Sequence, residues 1–325
     1  MNRLPGRALL ILVITALAAC ALALASGSAG MGWVSEEIFW QLRVPRMLAG
    51  FGAGAALGLA GALMQLLTRN PLADPYVLGV SGGASVGALT VLALGLSTTE
   101  WALAAGAGVG ACAAIAALFG LAWRWTGAAR PLALMQAAPS LVLMGVMIGS
   151  AASAVVALLL TLAPDAPLRG MVFWLMGDLN GVSHWVVVWC ALLVALALVW
   201  PSAHELDWMA RGEAWSVTLG VQVARRRRIG LLAASLATAA AVACAGAVGF
   251  VGLVVPHALR LMGVRAAPLL LPASALAGGS FLVLADTLAR TAWAPLQLPV
   301  GIVSAAVGVP SFIALLMHRP SGATA

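Results

Sequence analysis

Residues 67–88, LTRNPLADPYVLGVSGGASVGA, break the chain where two apolar runs meet. The break holds an arginine, an asparagine, two prolines and an aspartate, in a chain that is 8% charged and 63% hydrophobic. Each proline lacks a backbone donor and pushes the residue before it out of the helical region. Asn70 and Asp74 carry short polar side chains that bond to the freed backbone groups nearby. At membrane depth such irregular backbone persists only where protein surrounds it or a wet path runs beside it. The stretch therefore reads as a turn between two membrane helices. Ser81 suits the N-cap of the second helix, and Gly82, Gly83 and Gly87 let that helix pack closely. A phosphate cradle at SGGASVG lacks the glycine spacing of a nucleotide fingerprint, so close packing is the reading kept.

Outward from this break, apolar runs cover nearly the whole chain: 8–26, 47–67, 77–96, 101–123, 140–162, 185–200, 229–249, 269–289 and 299–317, with a shorter run at 251–264. A bilayer core takes roughly 20 apolar residues per helix, and the mean hydropathy is +1.05. The expected fold is all-α integral membrane, with ten transmembrane helices in a single domain over 1–325 and no separate soluble domain. Alternating strands are absent from the sequence, which argues against an outer-membrane barrel. The LAAC at 17–20 resembles a lipoprotein processing site. The apolar run continues past Cys20 to Ala25, so an uncleaved first helix is expected.

Charge sets the expected orientation. Basic residues favour the cytoplasmic ends of short loops. With the N-terminus inside, Arg3, Arg7, Arg69, Arg124, Arg130, Arg211, Arg225, Arg226, Arg227, Arg228, Arg265 and Arg319 fall inside. Only Arg43, Arg46, Arg169 and Arg290 then fall outside, so both termini are expected to be cytoplasmic. Arg260 lies within the short run and is left unassigned.

Small residues dominate the runs. Gly50, Gly54 and Gly58 share one helix face, and Gly106/Gly110 and Gly145/Gly149 repeat the spacing, the pattern by which membrane helices approach closely. The second span should be central. AGA at 60–62 and 245–247, with Pro71 and Pro256 at the same offset, suggests an inverted repeat of spans 2–5 and 7–10, as in many transporters. Under it, NPLADP turns at the cytoplasmic face and GLVVPHALR (252–260) at the opposite face. Cys20, Cys112, Cys190 and Cys244 sit inside apolar runs without paired spacing and read as packing residues.

All 17 basic residues are arginine. Without lysine, the chain lacks the P-loop lysine and the kinase strand lysine. The spans carry no ladder of buried carboxylates or histidines for proton coupling. Asp286 and Arg290, four apart on a helix, are placed to satisfy one another. The driving force must enter elsewhere. The longest polar interruption, PSAHELDWMARGEAWSVTLGVQVARRRR (201–228), suggests two short helices with a bend, and it is too rich in Trp, Leu and Val for a solvated loop. A docking surface for a cytoplasmic partner fits better, with the terminal arginines as a membrane-side anchor rather than a nucleic-acid site.

Over nearly its full length the chain resembles the permease subunits of ABC importers for iron chelates, haem and cobalamin. The matching motifs are RVPR (43–46), GALMQLLTRNPLADPYVLGVSGGA (61–84), FWLMGDL (173–179), GE followed by LGV (212–213, 219–221), GFVGLVVPHALRL (249–261), LADTLAR (284–290) and LPVGIVSAAVGVPSFIALL (298–316). The resemblance implies a multi-pass protein of a bacterial inner membrane that forms a dimer, with a homodimer expected. Each copy would dock one ATPase subunit below, and the dimer one periplasmic substrate-binding protein above. By motif, Arg43, Arg46 and Arg290 would pair with glutamates of the binding protein, the alternative being headgroup anchoring. Coupling helices at about 205–221 would place Gly212, Glu213, Leu219, Gly220 and Val221 in the ATPase groove. Many relatives carry Ala–Arg where this chain has Ser216–Val217. Asn70 and Leu72 would help close a cytoplasmic gate; the second gate position, near Ala138–Pro139, is not carried over.

The implied role is transport, with ATP hydrolysis by a partner subunit and no resident cofactor, metal or nucleic acid. Two alternatives stay open. An ion- or proton-coupled secondary transporter would work without an ATPase. A membrane enzyme would need clustered His, Asp or Cys, whereas His184, His204, His257 and His318 are scattered.

Overall fold

The computed structural model describes residues 4–27, 30–32, 35–96, 99–126 and 138–317. Arg3, Arg130, His318 and Arg319 lie outside the described residues. The chain is helical nearly throughout. Helix α1 spans Leu4–Ala25, and two-residue strands at Ser26–Gly27 and Gly30–Met31 pair antiparallel after it. A short π-helical turn, Phe39–Arg43, leads into α2, Val44–Thr68. Next come α3 (Val80–Ala93), α4 (Glu100–Thr126), α5 (Ala138–Leu162), α6 (Asp165–Leu175) and α7 (Trp185–Val199). Two short helices, α8 (Ala203–Arg211) and α9 (Glu213–Thr218), precede α10 (Val223–Ala245), α11 (Val251–Leu261), α12 (Ala267–Thr291) and α13 (Val300–Met317).

Ten apolar helices coincide with the ten apolar runs among the described residues. Seven are long enough to cross a membrane, while α3, α11 and α13 belong to a shorter class of 10–17 apolar residues. The centre is α2: from Ala49 to Leu67 every residue except Phe51 is buried. Lipid offers helices no hydrophobic reason to associate, so close backbone approach must do that work. A Cβ on Gly58 would stand 2.1 Å from the Ser274 carbonyl oxygen of α12, and one on Gly54 2.3 Å from that of Gly278. The same geometry joins α3 to α4, where a Cβ on Gly87 would meet the Gly106 carbonyl oxygen at 2.0 Å. On another face of α2, Gly61 lies against Gly252 of α11 at 1.9 Å by the same measure.

Helices α2 and α10 are antiparallel. Gly230, early in α10, lies beside Leu67, late in α2. At the other end His184, just before α7, contacts the Ala243 carbonyl, while Trp189 donates to the Leu48 carbonyl. After each comes a broken segment, a short helix and two longer ones, so the inverted order of elements is visible. Its sequence register is not the one expected. Ala60 lies inside α2, whereas Ala245 ends α10; Pro71 lies in a loop, whereas Pro256 lies inside α11.

Two further expectations are corrected. The 252–260 segment is helix, and it does not turn at the opposite face. The bend lies earlier, at 246–250, where Gly246 has φ 70° and Phe250 has φ 71°. Gly79, not Ser81, caps α3, in the left-handed region at φ 75°. A residue without a Cβ adopts that conformation without the usual steric cost.

Candidate functional site

Three regions along α2 bring the candidate residues together. The first is the break that follows it. Arg69 ends the helix in a left-handed conformation, φ 52°. Asn70 Oδ1 accepts from the Leu72 amide at 2.9 Å, and Asp74 Oδ1 accepts from the Tyr76 amide at 2.7 Å. These are the side-chain-to-backbone closures that Asn and Asp favour in turns. Asn70 and Leu72 are exposed at the tip, and Leu72 is 44% accessible despite its apolar side chain. Deeper in, the single tyrosine of the chain ties the two broken segments together. Tyr76 O–H donates to the Val248 carbonyl at 2.7 Å and accepts from the Val248 amide at 3.0 Å. Sequence reading passed over Tyr76, although one phenol in an apolar bundle must find partners.

The second region lies at the start of α2. Arg43, Arg46 and Arg290, separated in sequence, converge on one open pocket of about 500 Å³. All three are engaged within the chain. Arg43 Nη1 donates to the Leu24 carbonyl at 2.7 Å, and Arg290 Nη2 to the Ala23 carbonyl at 2.7 Å. Arg46 holds Asp286 through Nε and Nη2, at 3.0 and 2.8 Å, and Gln297 Oε1 through Nη1 at 2.9 Å. The expected Asp286–Arg290 pair is therefore secondary. Arg290 Nε stands 3.7 Å from the carboxylate, while Arg46 grips it in fork geometry. Three arginines face one aspartate, which leaves the pocket positively charged.

The third region lies at the other end of α2, about 37 Å away for a 25-residue helix. Two short helices stand there, as expected, separated by the extended Gly212. Glu213 does not project outward. Its carboxylate takes a hydrogen bond from the buried Arg227 of α10 and lies 3.7 Å from Arg69 at the end of α2. Val221 is buried as well, whereas Leu219 and Gly220 are exposed. Trp215 (48% accessible) and Val217 (60%) are exposed apolar residues on opposite sides of α9, and Leu219 (46%), four residues from Trp215, shares its face. The first two were missed because their pattern suits a buried helix equally well. Ser216 is fully buried, with Oγ donating to the Gly212 carbonyl at 2.6 Å. Only a small residue fits that place.

These helices form an apolar bundle around a glycine-faced centre, broken at two points that touch, which is the architecture of a multi-span membrane protein. Comparison with known proteins carries this further. A model of the FecCD transport family matches residues 8–318, and the chain belongs to that family. It is 38% identical over 321 residues to the vitamin B12 import system permease protein BtuC of Salmonella typhi, covering 95% of this chain and 93% of that protein. The permease of the same name from Escherichia coli O139:H28 is 38% identical over 301 residues, 89% of each chain. Among solved structures, an inward-facing metal-chelate type ABC transporter superposes with a TM-score of 0.85 at 25% identity, covering 97% of this chain and all of that one. PsaBC from Streptococcus pneumoniae, solved with a Fab, shares the fold, with a TM-score of 0.57, 15% identity, and 86% and 92% of the two chains covered.

Proposed function

We propose that this chain is the membrane-spanning subunit of an ATP-driven importer in a bacterial inner membrane, a single ten-span permease domain that forms a homodimer with a second copy and carries a metal chelate. The α8–α9 face is cytoplasmic, with both termini, and the arginine pocket faces the periplasm. One observation carries the reading: α9 presents Trp215 and Leu219 together on one exposed face while its Glu213, on the opposite side, is tied inward to α2 and α10. Exposed aromatic and aliphatic side chains on a short helix are what an ATPase groove can grip. The Glu213 ties pass the resulting displacement to the two helices that flank the central breaks. A hinge at Gly212 lets α9 move as a unit. Gly212, Gly220 and Val221 then shape the helix and its support, while Leu219 makes contact.

Asn70 and Leu72 form the cytoplasmic gate at the tip of the break. Arg43, Arg46 and Arg290 receive carboxylates of a periplasmic binding protein. Arg46 Nη1, which donates to the neutral side chains of Asn180 and Gln297, exchanges them for a carboxylate, and the fork onto a charged acceptor is the stronger. Among chelates, cobalamin has the support of the relatives named above, with siderophore-iron and haem as the other members of the class.

The test is uptake into proteoliposomes holding the permease, its ATPase subunit and its binding protein, with vitamin B12 and a ferric siderophore as separate cargoes. Uptake of one should require ATP and fall at least tenfold when Trp215 and Leu219 are both changed to Ala, with ATPase co-purification falling in step. Accumulation by the permease alone, without nucleotide, would overturn the reading in favour of a secondary transporter.

A further inference from the structure

Four consecutive arginines, Arg225 to Arg228, occupy the first two turns of α10. That is the wrong end of a helix for positive charge, because the macrodipole presents its own partial positive charge there. No acidic residue in the first turn offsets them. Two are compensated from outside the helix. Arg226 forks onto Glu205 of α8, with Nε at 2.7 Å, and Arg227 is held by Glu213 of α9. The other two are not: among the described residues neither Arg225 nor Arg228 has an ion-pair partner. Arg225, Arg227 and Arg228 line one groove of about 640 Å³ between α9 and α10, shared with Glu213, Val217 and Val221. Arg227 is 2% exposed, yet its Nε and Nη1 have no hydrogen-bond partner. A buried guanidinium with two idle nitrogens is costly unless an acceptor meets it.

We propose that this groove binds the phosphate of an anionic phospholipid from the leaflet bordering this face. The chemistry fits on both sides. Three arginines against one glutamate leave a double positive excess for a phosphodiester, and guanidinium forks match phosphate oxygens. Val217 and Val221 give the groove an apolar wall beside the charge, where a lipid's glycerol and first methylenes would rest. A lipid held there would brace α9 against α10 by bridging the groove that Glu213 spans at one point only. The inference rests on the membrane assignment, and the groove lies on the Glu213–Val217 side of α9, away from the Trp215–Leu219 face proposed to meet the ATPase.

The test uses the full permease, purified from bilayers containing phosphatidylglycerol and phosphatidylcholine, with retained lipid identified by native mass spectrometry. Phosphatidylglycerol should be retained over phosphatidylcholine, and the double variant Arg225→Gln, Arg228→Gln should weaken retention about thirtyfold, at about fivefold per arginine. Both residues are exposed and unpaired, so the variant should keep the fold, and size-exclusion chromatography on the same samples checks that. Equal retention by parent and variant would overturn the proposal. So would displacement of the lipid by inorganic phosphate, which would make free phosphate the ligand. Displacement by the ATPase subunit alone would assign the groove to a partner carboxylate and overturn it equally.

Discussion

Asp286 is buried between two arginines, so its removal should be costly. It is 5% exposed at the side chain, and among the described residues its carboxylate is the one acid paired with Arg46 and Arg290. Asp286→Asn keeps the shape and removes the charge, leaving two guanidinium groups in a confined space. Breaking a buried pair on one side costs about 3–5 kcal/mol, although Arg46, at 13% exposure, recovers part of that through solvent. Thermal unfolding in detergent should show a clearly lowered midpoint. The double variant Arg46→Met, Asp286→Leu should recover part of it, since apolar replacements of buried pairs are often neutral or better, while Arg290 still lacks its acid. Tyr76→Phe offers a cleaner case. It removes one oxygen and strands both the amide and the carbonyl of Val248, at about 1–3 kcal/mol for each group left unsatisfied. A melting midpoint equal to that of the parent would show that water fills the place of the phenol. Neither partnership was legible in the sequence. Arg46 and Asp286 are 240 residues apart, and the local i,i+4 spacing pointed to Arg290 instead. Periodicity reports neighbours along one helix and is silent about neighbours across the bundle.

At the level of elements the sequence was far more informative, because glycine spacing has a direct steric meaning. The face Gly50, Gly54 and Gly58 marked α2 as central, and Gly54 and Gly58 are the positions where α12 backbone passes closest. Gly58→Ala should prevent that approach, since the added carbon would overlap the Ser274 carbonyl, and folded yield should collapse. Gly108→Ala, on α4 with nothing within 4 Å of the new carbon, should be neutral or slightly stabilising, as alanine favours helix over glycine by about 1 kcal/mol. Folded yield and melting midpoint of the pair, measured side by side, separate contact glycines from idle ones. What the sequence misplaced was the boundary inside irregular backbone. Ser81 has the chemistry of a cap, but the left-handed turn at Gly79 came first and fixed the helix start. Pro256 looked like a bend, yet α11 carries it internally, and the bend fell on Gly246 and Phe250. A proline marks strain without saying which nearby residue yields. The two breaks meet through Tyr76 and Val248, and only the assembled bundle could reveal that contact.

For the whole molecule, the proposed dimer makes a prediction that one copy alone cannot satisfy. Leu72 is apolar, exposed, and held at the tip of a turn by the Asn70 side chain. In a twofold assembly a residue near the axis meets its own copy, so a gate at this tip brings the two Leu72 side chains together. A disulfide demands Cα atoms no more than about 7 Å apart, which makes it a sharp reporter of that closure. The experiment starts from a chain whose four cysteines, Cys20, Cys112, Cys190 and Cys244, all free here, are replaced by Ala, with Leu72→Cys added. Mild oxidation of the resting complex in bilayers should yield a cross-linked permease dimer, and trapping the ATPase subunits in the state that opens the cytoplasmic side should suppress it. Val217→Cys in the same background is the control: it borders the groove between α9 and α10 of its own copy, so this position should stay uncross-linked between permease copies. Cross-linking at Val217 in place of Leu72 would move the twofold contact to the coupling helices and remove the gate from the break after α2. Cross-linking at Leu72 that ignores nucleotide would keep the dimer but deny the movement, leaving the glutamate ties between α9, α2 and α10 as a brace rather than a lever.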